Sequence, residues 1–229
     1  MGNIAENIKQ IREQIPKNVT LIAVSKLKPV SIIEEAYEAG QQLFGENRTQ
    51  EITEKYPLLP KDIQWHFIGH LQTNKVKYII PFVTMIHSVD SKKLLQEINR
   101  LSEKNNQITD CLLQFYIAKE ESKSGFLLSE AEEMLLSEDF QLWKNIRICG
   151  VMGMATLTDN QELIRTEFKT LKDYFRLLKK KYFAFQDTFK EISMGMTDDY
   201  LIAVEEGSTM VRIGSAIFGE RKNSLCQNI

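Results

Sequence analysis

Residues 21–26 have the sequence Leu-Ile-Ala-Val-Ser-Lys, an apolar run of strand length that ends in a polar pair. It is the first of eight such runs in a chain of 229 residues, and polar stretches with helical patterning separate them. Before it, residues 3–15 carry isoleucines at helical spacing, which predicts a covering helix. The predicted strands are Thr20–Ser25, Leu43–Glu46, Ile63–Ile68, Met85–Val89, Asp110–Ile117, Ile146–Met152, Glu191–Met194 and Met210–Ile213.

The stretches between the strands predict helices. Asp90-Ser91 and Ser129-Glu130 are expected helix starts, and Gly40 is an expected helix end. Eight strands alternating with helices predict an α/β fold, in which residues 1–229 form a single domain. This domain is a (β/α)8 TIM-type barrel with an extra N-terminal helix and no second domain. A doubly wound open sheet would give the same alternation, but the absence of a half-repeat favours closure. The predicted helices are Val30–Ala39, Asn47–Lys55, Ser91–Lys104, Ser129–Ser137 and Asn160–Lys181.

Composition excludes several classes of function. The formal net charge is -2, so nothing draws the whole molecule to nucleic acid or to an anionic membrane. No apolar run approaches the roughly 20 residues that span a bilayer, and the N-terminus lacks the pattern of a signal peptide, which predicts a cytoplasmic protein. Cys111, Cys149 and Cys226 are far apart and form no CxxC pair, so no metal site is expected.

In a barrel, the functional residues lie where the strands end, and Lys26 directly follows the first predicted strand. By alternation Lys26 shares a face with Val24, which would bring its amine out at the barrel mouth. A partly desolvated amine is more often neutral, and a neutral amine attacks an aldehyde to form an imine. A solvated lysine at a strand end stays open as the alternative. Adjacent strand residues point to opposite faces, so Ser25 and Lys26 are not expected to form a hydrolase dyad.

The last two predicted strands end in segments suited to phosphate. In Ser193–Thr197, Gly195 permits close backbone approach, and Thr197 or Asp198 is expected to start a helix. Residues 212–215, Arg-Ile-Gly-Ser, add a cation, a glycine and further backbone donors, where barrels commonly bind phosphate. His66 lies between Trp65 and Phe67, a setting that favours ring packing or lining of the site over proton transfer.

The chain closely resembles the pyridoxal phosphate homeostasis proteins, in segments that run through every predicted barrel unit. Motifs of this length in this order are highly specific. The matching segments are AVSK at 23–26, FGENRTQE at 44–51, WHFIGHLQTNK at 65–75, HSVDS at 87–91, EESKSGF at 120–126, GVMGMAT at 150–156, SMGMTDDY at 193–200 and GSTMVRIGSAIFGER at 207–221.

The resemblance implies a barrel like the N-terminal domain of alanine racemase, with pyridoxal 5′-phosphate (PLP) held as a Schiff base. Members of the family bind PLP and help to balance vitamin B6 pools without demonstrated turnover. The implied partners are PLP, B6 vitamers and PLP-dependent enzymes, and the implied state is a monomer or weak dimer. The implied site residues are Lys26 for the Schiff base, Ser193, Thr197, Gly214 and Ser215 for the phosphate, Arg212 for the pyridine nitrogen, Asn47 near the ring, and His66 and Met154 near the pocket wall.

The expected absence of turnover has a physical reason. Few residues follow Gly219, so no second domain is expected to cover the barrel mouth, and an open mouth works against protection of a carbanion. Residues 114–119 depart from the family at the fifth strand, and residues 120–125 could form a loop over the mouth. Two alternatives stay open: a PLP-dependent amino-acid racemase or lyase, and a sugar-phosphate enzyme in which Lys26 forms its imine directly with substrate.

Overall fold

The structure is a computed structural model that describes residues 3–118 and 124–219, and its strands close into a barrel. All pairs are parallel, each strand pairs with the next along the chain, and β8 returns to pair with β1. This confirms the predicted TIM-type barrel. The strands are β1 Thr20–Val24, β2 Leu43–Glu46, β3 Gln64–Phe67, β4 Val83–Val89, β5 Thr109–Gln114, β6 Ile146–Met152, β7 Glu191–Ser193 and β8 Met210–Ile213.

Helices surround the barrel, and the N-terminal stretch forms a helix as predicted, which packs against α2 and α10. The side chain of Asn7 donates to the carbonyl of Ile217 at 2.9 Å, which ties α1 to α10. None of the described helices is long and apolar enough to cross a membrane. The helices are α1 Ile4–Gln14, α2 Val30–Glu38, α3 Thr49–Lys55, α4 Val76–Ile79, α5 Lys92–Lys104, α6 Leu128–Leu136, α7 Glu138–Leu142, α8 Gln161–Lys181, α9 Tyr200–Glu205 and α10 Ser215–Phe218.

Capping explains where the helices begin and corrects two of the predicted starts. Ser91 caps α5 as expected, since its Oγ accepts from the Leu94 N–H. Ser129 does not cap α6, which begins at Leu128; instead the Glu130 carboxylate reaches back to the Leu127 N–H at 2.8 Å. Neither Thr197 nor Asp198 starts the helix after β7. That helix begins at Tyr200. The residues before it form a turn in which the Asp199 carboxylate accepts from the Met196 N–H.

The fifth strand is shorter than its apolar sequence predicts. The ladder of β5 ends at Gln114, and Phe115 makes an isolated bridge with Phe126. The Phe126 N–H donates to the Gln114 carbonyl at 2.8 Å, so the chain after the strand folds back onto its end. Residues 119–123, which carry most of the loop predicted over the mouth, lie outside the described residues.

Side chains alternate between the barrel interior and the helical layer. On β3, Trp65 and Phe67 pack in the large outer core, whereas His66 lies between them on the inner face. Full burial of each aromatic ring contributes about 2–3 kcal/mol to stability. A second, smaller cluster fills the lower interior and is apolar: Ile22, Met85, Leu112, Cys149, Met152 and Met210.

A glycine shifts the alternation on β6. Gly150 has φ +155°, and a Cβ there would lie 1.8 Å from the carbonyl oxygen of Glu191. The pairing of β5 with β6 shifts register at the same level. As a result Cys149 and Met152, three positions apart, both belong to the inner cluster.

Candidate functional site

A cavity of about 420 Å³ lies where the strands end, on the carboxyl side of the barrel. This is within the size range of small-molecule sites in proteins. The structure brings seven of the nine predicted site residues to its wall, and His66 and Ser193 lie outside the lining. The seven are Lys26, Asn47, Met154, Thr197, Arg212, Gly214 and Ser215.

Lys26 lies two residues beyond the end of β1 and is half-buried in the cavity wall. Its neighbour Ser25 is fully buried on the other side of the strand, where its Oγ donates to Glu46 Oε1 at 2.7 Å. The opposite orientation of the two side chains agrees with the expectation that they form no hydrolase dyad. Ser25 therefore does not share the cavity with Lys26.

Thr197, Gly214 and Ser215 form one corner of the cavity. The Ser215 hydroxyl lies 3.1 Å from Thr197 Oγ1, and the Gly214 N–H donates to the same oxygen at 3.4 Å. A Cβ on Gly214 would lie only 3.3 Å from the carbonyl oxygen of Val24, so a side chain would crowd β1 at this point. Two hydroxyls beside a glycine amide are donors of the kind that hold an anion such as phosphate.

Asn47 meets the cavity from the end of β2. Its Oδ1 is buried and has no hydrogen-bond partner within residues 3–118 and 124–219. Gly69 packs against the Asn47 backbone so closely that a Cβ would lie 2.3 Å from the Asn47 carbonyl oxygen. A buried acceptor without a partner is costly, and a ligand hydroxyl in the cavity would satisfy it.

Below the cavity, four buried side chains from four strands form a continuous row of hydrogen bonds, which we call the interior relay. Arg212 donates to Ser193 Oγ at 2.6 Å and to the Gly153 carbonyl at 3.1 Å. His87 Nδ1 lies 2.9 Å from Ser193 Oγ, and His87 Nε2 lies 2.8 Å from His66 Nδ1. Arg212, Ser193, His87 and His66 are each at most 4% exposed.

The donors of the interior relay are partly fixed by chemistry. Arg212 only donates, so Ser193 Oγ accepts from it. A neutral His87 donates through one ring nitrogen and accepts through the other, so its bonds to Ser193 Oγ and His66 Nδ1 run in one direction along the row. Both imidazoles are neutral in this arrangement. Burial lowers the pKa of His66 to about 4 and that of His87 well below its ordinary value.

Arg212 is the cation at the floor of the cavity. Burial lowers its pKa to about 10, and the charge of Asp199 opposes this effect. The guanidinium therefore stays charged at neutral pH. Its two hydrogen bonds to Ser193 and Gly153 go to neutral oxygens. A charged donor with neutral partners attracts a ligand atom that carries a lone pair or a negative charge.

His87 and Gln114 are the main residues that sequence reasoning did not assign. On β4, His87 lies two residues after Met85 of the inner cluster, so the two side chains share the inner face of the strand. This spacing was the signal that could have placed His87 inside the barrel. Gln114 ends β5, lines the cavity and donates to the backbone and hydroxyl oxygens of Ser124. It stands at the strand where the sequence departs from the family pattern.

Two further polar side chains belong to the lining of the cavity. His70 lines the cavity and pairs with Asp90 at 3.2 Å, and Lys28 donates to the carbonyls of Phe218 and Gly219. Within the described part of the chain, no group of histidine, cysteine or carboxylate side chains could hold a metal ion. The arrangement suits an organic ligand that carries an anionic group and reacts with an amine.

Known proteins resemble the chain over nearly its whole length. The family model of the alanine racemase N-terminal domain matches residues 1–222. A pyridoxal phosphate homeostasis protein of Aquifex aeolicus is 37% identical over 96% of this chain and 99% of its own length. One of Haemophilus influenzae is 38% identical and covers 99% of both chains.

Solved structures resemble the fold as well. PipY of Synechococcus elongatus, 34% identical, matches 94% of this chain and 100% of its own, with a TM-score of 0.88 without PLP and 0.86 with PLP bound. Alanine racemase of Streptomyces lavendulae matches with a TM-score of 0.77 at 17% identity. The match covers 96% of this chain but 57% of the racemase chain. The likeness to the racemase is one of fold.

Proposed function

The chain belongs to the pyridoxal phosphate homeostasis proteins within the alanine racemase N-terminal domain family, and on this basis we propose that it binds PLP as a Schiff base on Lys26 and serves PLP homeostasis. One observation carries the proposal. A single cavity joins an amine, an anion-binding corner and a buried guanidinium, which are the groups that PLP requires. PipY, with 34% identity over 94% of this chain, has been solved with PLP bound.

Each part of PLP has a chemical counterpart in the cavity. Thr197, Gly214 and Ser215 would bind the phosphate through hydroxyl and amide donors. Arg212 would donate to the pyridine nitrogen, and Asn47 Oδ1 would accept from a ring substituent. Lys26 would reach the aldehyde carbon. The orphaned Asn47 oxygen supports this fit.

PLP supplies an aldehyde that condenses with amines. Lys26 would hold this aldehyde through its amine, with the carbonyl oxygen lost as water. Arg212 holds its proton at neutral pH, so it would keep the pyridine nitrogen unprotonated and weaken the ring as an electron sink. This electronic effect favours storage of a bound aldehyde over fast turnover.

The exposure of the cavity rim also supports a binding role. Met154 is 40% exposed and the His70 side chain 66% exposed, although both line the cavity. Water therefore reaches the described site. Catalysis through a carbanion benefits from the exclusion of water, whereas capture and release of PLP does not need it.

Absorbance spectroscopy tests the proposal directly. We expect purified protein to show a Schiff-base band on addition of PLP, and Lys26→Ala to lose it. Lys28→Ala is the matched control, because among the described residues Lys28 is the second lysine in the cavity wall, and it donates to Phe218 and Gly219. Borohydride reduction should label Lys26 in the wild type. A band that survives in Lys26→Ala and disappears in Lys28→Ala would overturn the assignment, and a protein that takes up no PLP would return the sugar-phosphate alternative.

A PLP-dependent racemase or lyase is the second candidate, because the barrel has the fold of the alanine racemase domain. Exchange of an amino acid's α-hydrogen with deuterated water, measured with and without the protein, separates the two. Exchange no faster than with free PLP excludes the enzyme. Transfer of PLP to PLP-dependent enzymes stays a prediction, which reconstitution of an apoenzyme would test. The expected monomer or weak dimer also stays a prediction, which light scattering would test.

A further inference from the structure

The residue after Lys26 has an unusual backbone. Leu27 has φ +61°, in the left-handed region that side chains with a Cβ disfavour. Within the described residues, the other non-glycine residue with positive φ is Asn106, a type that tolerates this region. The Leu27 side chain is 56% exposed, so its own packing does not hold the turn. Something else must stabilise the conformation.

Three charged side chains from the end of β2 and from α3 hold this turn, and we call them the Lys55 clamp: Glu46, Glu51 and Lys55. Glu51 Oε2 accepts from the Leu27 N–H at 2.7 Å and from Lys55 Nζ at 3.1 Å. Lys55 Nζ also donates to the Ser25 carbonyl at 3.0 Å and to Glu46 Oε1 at 2.7 Å. The clamp therefore binds main-chain groups of Ser25 and Leu27, the residues on either side of Lys26.

Because its charged groups are buried, the Lys55 clamp is not an efficient source of stability. Glu46 is fully buried and Lys55 is 8% exposed, and Glu46 Oε2 has no partner among the described residues. Buried ion pairs of this kind often stabilise a fold no better than apolar side chains of similar size would. What they provide is fixed geometry, since each partner's bonds restrict the other. Here the fixed geometry is that of the backbone around Lys26.

We propose that the Lys55 clamp positions Lys26, by holding the left-handed turn at Leu27 so that the amine points into the cavity. Glu51 is the central positioning residue, because it binds the strained residue itself. The inference rests on the proposed function, since it concerns the lysine that holds PLP. The clamp lies outside the cavity lining, so it acts through the backbone and not by contact with PLP.

The test compares how much PLP is bound with how much of it is joined to Lys26. We expect Glu51→Ala to lower the equilibrium constant between Schiff-base and non-covalently bound PLP by about tenfold, the scale of one charge-assisted hydrogen bond. Total PLP binding, which rests on the phosphate corner, should fall less. Glu54→Ala on the same helix is the matched control, because Glu54 is exposed and accepts a hydrogen bond from its helix neighbour Gln50.

A second substitution separates positioning from general stability. Glycine adopts the left-handed region readily, so Leu27→Gly placed in the Glu51→Ala protein should restore part of the Schiff base. Glu51→Gln keeps an acceptor for the Leu27 N–H and should lose less than Glu51→Ala. The inference is overturned if Glu51→Ala leaves the Schiff-base fraction unchanged, or if that fraction and total PLP fall in parallel with thermal stability and Leu27→Gly restores nothing.

Lys26→Ala in the same experiment distinguishes failure of the clamp proposal from failure of the proposed function. Loss of the band in Lys26→Ala together with a normal Glu51→Ala rejects the clamp and keeps the proposed function. A band that persists in Lys26→Ala rejects the proposed anchoring itself.

Discussion

Replacing Ser193 with alanine removes the centre of the interior relay. Ser193 Oγ accepts from Arg212 at 2.6 Å and lies 2.9 Å from His87 Nδ1, and all three side chains are buried. A buried hydrogen bond to a charged group contributes about 1.5–3 kcal/mol and one between neutral groups about 1 kcal/mol, so we expect Ser193→Ala to lower the free energy of unfolding by about 3 kcal/mol. For a chain of this size that corresponds to a fall in Tm of roughly 6–12 °C.

Urea denaturation measures the loss, and a double-mutant cycle assigns it. His87→Phe is combined with Ser193→Ala, and we expect the two effects to fall short of additivity by about 1 kcal/mol, because the residues share one hydrogen bond. A loss in Ser193→Ala below about 1 kcal/mol, or strict additivity in the cycle, would refute the relay as a stabilising unit.

The same variant distinguishes two roles of Ser193 in ligand binding. The family resemblance implies that Ser193 binds the phosphate, whereas the structure leaves it outside the cavity lining and bonded to Arg212. If Ser193 acts through Arg212, Ser193→Ala weakens PLP and phosphate-free pyridoxal by similar factors. A loss for PLP alone would show that Ser193 contacts the phosphate, and would reject the indirect role.

Three further predictions follow from the geometry. Thr197→Ala should weaken PLP by about tenfold and pyridoxal little, as measured by fluorescence titration, because it removes one hydrogen bond to an anion. Gly150→Ala should destabilise by more than about 3 kcal/mol, since its Cβ would overlap the Glu191 carbonyl, while Gly40→Ala, with open space around it, should cost about 1 kcal/mol in the same melting experiment. Stability should also depend on pH through His66, whose folded pKa is about 4 against an ordinary 6.5. The unfolded chain binds the proton first, so this contribution is complete above pH 6.5 and about 3 kcal/mol of it is lost as pH falls toward 4; denaturation at several pH values should show a flatter curve in His66→Gln.

The sequence predicted the barrel and most of the cavity for the same reason. Each strand is a separate apolar run, and parallel strands of a closed barrel bring their carboxyl ends together. Lys26, Arg212 and Gly214 therefore converge on one cavity although they come from opposite ends of the chain. The short helices α4, α7 and α10 were not predicted, since four or five residues carry too little of the helical period to be recognised.

The interior relay and the Lys55 clamp depend on information that local patterns do not carry. Whether His87 faces inward depends on the phase of β4, and shifts such as the one at Gly150 show that strand phase is not strictly maintained in this barrel. Lys55 ends a predicted helix, where a lysine is usually solvated, yet it is buried against two carboxylates. Its contacts come from the way α3 lies over the ends of β1 and β2, which is a tertiary feature.

The pairing of β1 with β8 has a consequence for how the protein is made. Lys26 stands near the beginning of the chain, whereas Gly214 and Ser215 belong to its last barrel strand and the helix after it. A growing chain that has not yet delivered β8 has Lys26 but neither Gly214 nor Ser215, and its barrel is open between β1 and β8. If Lys26 holds PLP as proposed, capture of PLP has to wait for synthesis of nearly all the described residues. Binding of PLP in the cavity would then indicate that β8 had paired with β1 and closed the barrel.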